Sequence, residues 1–362
     1  MKRYKVIGMM SGTSLDGLDL AYCYFWKEES QWRFEIVKSY EVSYDNSLFE
    51  KLKTAILLTE EEHLKLHHEY GIWLGEQARH FIAQDHLDVD FIASHGHTSH
   101  HRPEEGITFQ LGHGQEIANV SNHKVICDFR TQDVSLQGEG APLVPIGDHL
   151  LLPEFEFCLN LGGISNISFQ KDGKRVAFDI GMANMPLNYL TEKINLKYDK
   201  GGLLARSGRL IPELLERLNA LDYYQLPYPK STGYEWFSSK VVPLLDHFKA
   251  DTKDLLHTVI HHNCEQIVKI ITAEKTNQES TVIATGGGAL NHFFIDTLKE
   301  KLGQTCRVVI PNKEFIAYKE AMVFAFMGVL RERKEVNIYA SVTGAKKDSS
   351  SGVVFHPVSS DN

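Results

Sequence analysis

A short apolar strand, a glycine-bracketed polar turn and a second apolar strand occur twice in this chain, about 150 residues apart. The first copy covers residues 6–21, around Gly12 and Gly17. The second covers residues 157–169, around Gly162, Gly163 and Asn166. Such a turn points several backbone N–H groups one way and keeps side-chain bulk away, which is what a phosphate tail requires. One hairpin alone reads equally well as an ordinary turn. Two of them point to a duplicated fold with a cleft between its halves. A third glycine run, Gly286, Gly287 and Gly288, follows the apolar stretch 282–284 and precedes a helical pattern. Bare backbone there would let a flat group such as adenine or its ribose lie close. The run is neither a Walker A sequence nor GxGxxG in dinucleotide spacing.

Strand-length apolar runs lie at 4–10, 18–26, 31–42, 91–94, 107–111, 124–129, 155–161, 176–178, 281–284, 307–310 and 352–355. Helical patterns lie at 115–120, 186–194, 211–221, 252–274 and 318–333. One more helix opens at Thr59, whose hydroxyl caps while Glu62 reaches back. Its apolar face is expected to run through Leu64, Tyr70, Leu74, Ala78, Phe81 and Ile82. Strands alternating with helices mean an α/β protein. The polar stretch 346–351 is expected to be a mobile turn before the last strand.

The length of 362 residues suggests two domains. Lys plus Arg number 38 against 47 Asp plus Glu, a formal charge of -9, which argues against a nucleic-acid backbone as partner. The five cysteines are scattered with no CxxC, so neither a disulfide framework nor a cysteine zinc site is expected. The chain has no apolar run near 18 residues and no secretory pattern. It reads as cytoplasmic, with no membrane partner.

Within the first turn, Thr13 and Ser14 offer hydroxyls to phosphate oxygens, and Asp16 and Asp19 offer hard oxygen ligands to magnesium. The metal ligands themselves stay open at this point. His95, His97, His100 and His101 crowd one segment, but without HExxH spacing they do not make a zinc motif. Asp128 and Arg130 end a strand, either as an ion pair or as substrate-facing groups. Glu320 opens a helical pattern, where a carboxylate suits the helix dipole in any case.

The ordered set of motifs resembles the anhydro-N-acetylmuramic acid kinase family. The residues that carry it are Gly8-Met9-Met10-Ser11-Gly12-Thr13-Ser14-Leu15-Asp16-Gly17-Leu18-Asp19, then Asp128-Phe129-Arg130 and Gly138-Glu139-Gly140-Ala141-Pro142-Leu143-Val144-Pro145. Asn160-Leu161-Gly162-Gly163-Ile164-Ser165-Asn166, Pro229-Lys230-Ser231-Thr232-Gly233, Gly286-Gly287-Gly288 and Ser341-Val342-Thr343-Gly344-Ala345 follow in the family's order. The resemblance implies a two-lobed actin-like ATPase fold, a duplicated ribonuclease-H-like architecture with an interlobe cleft. It implies ATP with Mg2+, and a reaction in which water opens 1,6-anhydro-N-acetylmuramic acid while O6 takes the γ-phosphoryl group. The product, N-acetylmuramic acid 6-phosphate, belongs to peptidoglycan recycling. A homodimer is a further implication by analogy.

By that resemblance Asp179, in Asp179-Ile180-Gly181-Met182-Ala183-Asn184, is the catalytic base leaving a strand end; as a bare residue it reads as a helix N-cap. Nucleotide falls to Gly12, Thr13, Ser14, Leu15, Asp16, Gly17, Leu18, Asp19, Gly162, Gly163, Gly286, Gly287 and Gly288. Sugar falls to His95, Thr98, Asp128, Arg130, Asn184 and Glu320. The first lobe is expected over 1–150 with 335–362 returning to it, and the second over 151–334. Departures from the family pattern at Ile180, Met182, Ala183, Asn188, Tyr234, His113 and His97 lie near the sugar side. They keep two alternatives open: a kinase for another anhydro or amino sugar, and a catalytically silent nucleotide-gated binding protein.

Overall fold

The computed structural model describes residues 2–12 and 15–358. Thr13 and Ser14, singled out above, lie outside the described residues. The chain forms two compact units. One takes residues up to Leu152 and from Tyr318 onward, and the other is Pro153–Ala317.

In the first unit, β1 (Tyr4–Ser11), β2 (Leu18–Glu28) and β3 (Gln31–Val42) form an antiparallel meander. β4 (Phe91–Arg102) runs parallel to β1 on its other side, β5 (Ile107–Leu111) pairs antiparallel with the end of β4, and β6 (Val125–Cys127) runs parallel to β4. The second unit repeats this plan. β7 (Phe157–Leu161), β8 (Ile164–Lys171) and β9 (Lys174–Met182) form the meander. β10 (Ser280–Thr285) lies parallel to β7, and β11 (Cys306–Val309) parallel to β10. β12 (Val353–Phe355) returns to the first unit and pairs antiparallel with β6. The orders β3-β2-β1-β4-β6 and β9-β8-β7-β10-β11 match in sequence and in sense. This is the duplication expected from the twin hairpins, in the ribonuclease-H-like architecture that the family resemblance implies.

Local chemistry explains where elements begin. Thr59 and Glu62 form the full capping box of the helix Glu60–Asp85. Its buried face is His63, Leu66, Tyr70, Leu74, Ala78 and Phe81, whereas Leu64 is exposed. Asn291 caps the helix His292–Leu302 by accepting the Phe294 N–H at 3.0 Å. Among the described residues, no helix is long and apolar enough to cross a membrane. All five cysteines are buried, and none forms a disulfide among the described residues.

Three sequence expectations change. The strand expected at 91–94 continues to Arg102, because β5 supplies hydrogen-bond partners to its polar half. The stretch 346–351 is tied down rather than mobile: Ser349 bridges to Ile338, and the buried Ser351 exchanges hydrogen bonds with Asn337. The helix expected from residue 318 begins at Lys313, and its length from Tyr318 belongs with the first unit rather than the second. That helix is buried along 321–330 and packs Phe326 against Phe25 and Trp32. Gly8 in β1 makes this possible, since a Cβ there would fall 1.8 Å from the Ala321 carbonyl oxygen. Gly8→Ala should therefore lower stability by about 1–3 kcal/mol or more, as overpacking does. Urea unfolding of the variant, with an unchanged m-value, checks this.

Candidate active site

In the first unit the β1–β2 turn is held from below. Tyr70 Oη donates to Ser11 Oγ at 2.9 Å, and Tyr44 Oη lies 2.6 Å from the same oxygen. Leu15 sits at φ 58°, left-handed backbone that a branched side chain rarely adopts, and its N–H donates to Gly12 O at 3.2 Å. Gly17 passes so close to β3 that a Cβ would meet Val42 O at 2.7 Å. His97 is buried beside the Gly12 and Leu52 backbone, and burial lowers its pKa.

Asp19, on β2, faces Glu41, Glu320 and Asp16. Burial first, and then these three carboxylates in that order, push its pKa up to about 7. Glu320 is open to solvent at its surface, yet enough protein surrounds its carboxylate for desolvation to raise its pKa, opposed by Lys319 and then Arg130. Arg130 donates through Nε to His95 Nε2 at 3.0 Å and through Nη1 to Gly140 O at 2.6 Å. His95 in turn places Nδ1 2.8 Å from Gly96 O. This fixes a neutral ring that donates at Nδ1 and accepts at Nε2. Burial and then Arg130 lower its pKa to about 3. Burial brings Arg130 down to about 10, so it stays charged at neutral pH.

The loop around Arg130 is organised by Asp133, a buried carboxylate that the sequence reading passed over. Its two oxygens accept from Gly140 N and from Thr343 Oγ1, each at 2.8 Å. Of the sugar-side residues expected in this unit, His95, Arg130 and Glu320 are thus brought together. Thr98 and Asp128 hydrogen-bond elsewhere. Thr98 sits on the β4–β5 ladder with Gln110 Nε2 3.5 Å from its hydroxyl. Asp128 accepts the Thr131 N–H at 3.2 Å and forms no ion pair with Arg130 among the described residues.

In the second unit, Asp179 lies within β9 rather than after it, at a register shift where Ser165 pairs with Gly181 and Asn166 with Asp179. It is not a helix cap, since that position belongs to Ala183. Asp179 N donates to Lys230 O at 3.0 Å, and Tyr223 Oη donates to Asp179 O at 2.7 Å. The Thr232 N–H donates to Oδ2 at 3.1 Å. Oδ1 takes no hydrogen bond among the described residues. Burial raises the carboxyl pKa and the Thr232 bond opposes it. Lys230 and Thr232, in the Lys-Ser-Thr-Gly segment noted in the sequence, are therefore the partners of Asp179. The motif was visible there, and the pairing was not.

The glycines of this unit divide by cause. Gly286 has φ 77°, and a Cβ there would lie 2.6 Å from Asn160 Oδ1; at Gly288 it would lie 2.7 Å from the Leu161 Cβ. Asn184 joins the two glycine segments, donating from Nδ2 to Leu161 O at 2.9 Å. At Gly162, Gly163 and Gly287 an added Cβ would meet nothing nearer than 3.4 Å, and none has positive φ. Neither packing nor conformation asks for glycine at those three positions.

Residues 4–357 match the family described as Anhydro-N-acetylmuramic acid kinase. An anhydro-N-acetylmuramic acid kinase of Aliivibrio fischeri is 32% identical over 367 residues, 97% of this chain and 99% of its own length. One from Francisella tularensis subsp. novicida is 32% identical over 372 residues, covering 96% and 97%. Among solved structures, the activator of 2-hydroxyisocaproyl-CoA dehydratase from Clostridium difficile with bound ADPNP matches at 13% identity and a TM-score of 0.44, over 92% of this chain and 98% of that one.

The carboxylates around Asp19 generate a testable pH dependence. Its folded pKa, near 7, lies above the ordinary 3.8. The unfolded chain therefore releases this proton first, and stability falls as pH rises from about 4 to 7. Asp19→Asn removes that loss. Its thermal midpoint should exceed that of the parent above pH 7 and converge with it near pH 4 in parallel melts.

Proposed function

Because the chain belongs to the anhydro-N-acetylmuramic acid kinase family, we propose that it opens 1,6-anhydro-N-acetylmuramic acid with water and phosphorylates O6 from ATP. The products are N-acetylmuramic acid 6-phosphate and ADP, and the reaction serves peptidoglycan recycling in the cytoplasm. The observation that carries the chemistry is Asp179. It is a half-buried carboxylate fixed at Oδ2 by a backbone N–H, with Oδ1 unengaged and a raised pKa. That is a general base held in one orientation.

Water donates its proton to Asp179 Oδ1 as its oxygen bonds to the anomeric carbon. The C1–O6 bond breaks, and O6 bonds to the γ-phosphorus as the bond to the β-phosphate oxygen breaks. Opening and phosphorylation are coupled in this scheme, because bonding to phosphorus stabilises the departing oxygen. The turns at Gly12–Asp19, Gly162–Gly163 and Gly286–Gly288 offer backbone N–H groups to ATP, and positioning plus charge stabilisation supplies most of phosphoryl-transfer catalysis. Asp16 and Asp19 suit Mg2+, since no cation faces Asp19 among the described residues and its neighbours are carboxylates. Mg2+ there would neutralise phosphate charge. His95, Arg130 and Glu320 form the sugar-facing group, in which the neutral His95 accepts from Arg130 and holds the guanidinium in place.

Asp179→Asn keeps the shape and removes the base. It should cut kcat by about 100-fold or more with little change in KM for ATP. In the parent, kcat/KM should fall as pH drops through the Asp179 pKa, an acid limb placed above the ordinary 3.8 by burial and missing from the variant's residual activity. A near-normal rate in Asp179→Asn overturns the assignment.

In oxygen-18 water, short reactions should put the label on the anomeric hydroxyl and none in the sugar phosphate, read by mass spectrometry. Label in the phosphate would mean that water attacks phosphorus instead.

A further inference from the structure

The helix Glu60–Asp85 presents His68 to the start of the short helix Gly114–Ser121. His113 occupies the N-cap position of the short helix and Glu116 follows three residues later, a spacing that puts both side chains on one face. The two elements are locked together at close range. The His113 N–H donates to the His67 carbonyl at 3.1 Å. Gly71 is bare where the His113 backbone passes, since a Cβ there would lie 2.8 Å from His113 N and O. On this frame, His68 Nδ1 lies 3.0 Å from Glu116 Oε1. The His68 and His113 rings stack with centroids 4.2 Å apart, at 24°. One ligand atom from each of His68, His113 and Glu116 falls within 4.8 Å of the other two. Nδ1 of His113 is enclosed and has no hydrogen-bond partner. His67 is engaged elsewhere, its Nδ1 accepting the Gly112 N–H at 3.1 Å.

We propose that His68, His113 and Glu116 bind one divalent transition-metal ion of the zinc class. Two imidazoles and a carboxylate are the donor set that such an ion takes, whereas magnesium and calcium prefer an all-oxygen shell. Ligand atoms on a tetrahedral zinc, with bonds of about 2.0–2.2 Å, stand about 3.3–3.6 Å apart. The His68–Glu116 pair is already near that separation. The third ligand atom lies within 4.8 Å of the other two, and the backbone contacts above hold the two helices at that spacing. A bare His68–Glu116 ion pair would explain one contact and leave the enclosed His113 nitrogen unexplained. Three protein ligands leave the fourth position to water. The consequence is mechanical. The helix that carries His68 also carries Tyr70, whose hydroxyl donates to Ser11 beneath the first glycine turn. A bound ion would therefore fasten the helix that backs that turn.

The test uses the full chain, stripped with a chelator and dialysed. It is titrated with Zn2+ by calorimetry and with Co2+ by visible absorption. The expected results are one ion per chain, a tetrahedral Co2+ spectrum and a rise in thermal midpoint with Zn2+. His68→Gln, at an exposed position that leaves the core intact, and Glu116→Gln should each weaken Zn2+ binding by about tenfold or more. His80→Gln, exposed on the same helix outside the cluster, should bind as the parent does. The proposal is overturned if Zn2+ binds no tighter than millimolar, or if His68→Gln and Glu116→Gln, shown folded by circular dichroism, bind it as strongly as the parent.

Discussion

Close passage of the chain at positions where no side chain fits sets the spacing inside each unit. Gly8 admits the helix Lys313–Glu332 onto β1, and that contact carries Glu320 into the carboxylate group around Asp19. In the second unit, Gly286 and Gly288 let the third glycine run lie on Asn160 and Leu161, and Gly181 leaves room for the ring of Tyr224. Interiors are packed densely enough that a single methyl at such a point must displace main chain or a packed side chain. These glycines are structural. Gly162, Gly163 and Gly287 are glycine without any such pressure from the protein.

The two units divide their electrostatics differently. In the first, burial and then the neighbouring carboxylates push the Asp19 pKa up to about 7, and the charge of Arg130 acts on Glu320. Desolvation is the largest effect at every one of these groups, so their charge states follow from how the chain packs more than from which residues are neighbours. In the second unit no charged group shifts Asp179 among the described residues: one backbone N–H orients it and burial makes it more basic. Orientation from main chain, rather than from a flexible cation, suits a group that must accept a proton along one direction.

Much of the scaffold was legible one segment at a time. β3, β5 and the helix Thr252–Glu274 have the bounds that their hydrophobic patterns indicate, and Thr59 with Glu62 marks its helix start. These signals are local, since a cap or a period-two pattern is set within a few residues. The reading weakened where partners came from elsewhere. The histidine-rich half of β4 has no apolar alternation and is a strand because β5 lies beside it. The polar stretch 346–351 looks like a loose turn until Asn337 is seen reaching both the N–H and the carbonyl of Ser351. Leu64 and Leu66 both fit a helical stripe, and only the packing chose Leu66.

The sequence by itself determined the fold plan and the family: two strand–glycine–strand hairpins, a third glycine run and an ordered set of motifs are local patterns that survive without coordinates. Tertiary structure alone decided which side chains meet. Asp179 is oriented by Thr232, 53 residues away. Arg130 pairs with His95, 35 residues away, rather than with Asp128, two residues away. His68 meets Glu116 across 48 residues. Such pairings depend on strand order and on where a helix lands on a sheet, and chain neighbours do not encode that placement. A pKa set by desolvation has the same origin, because burial belongs to the folded chain and to no single residue.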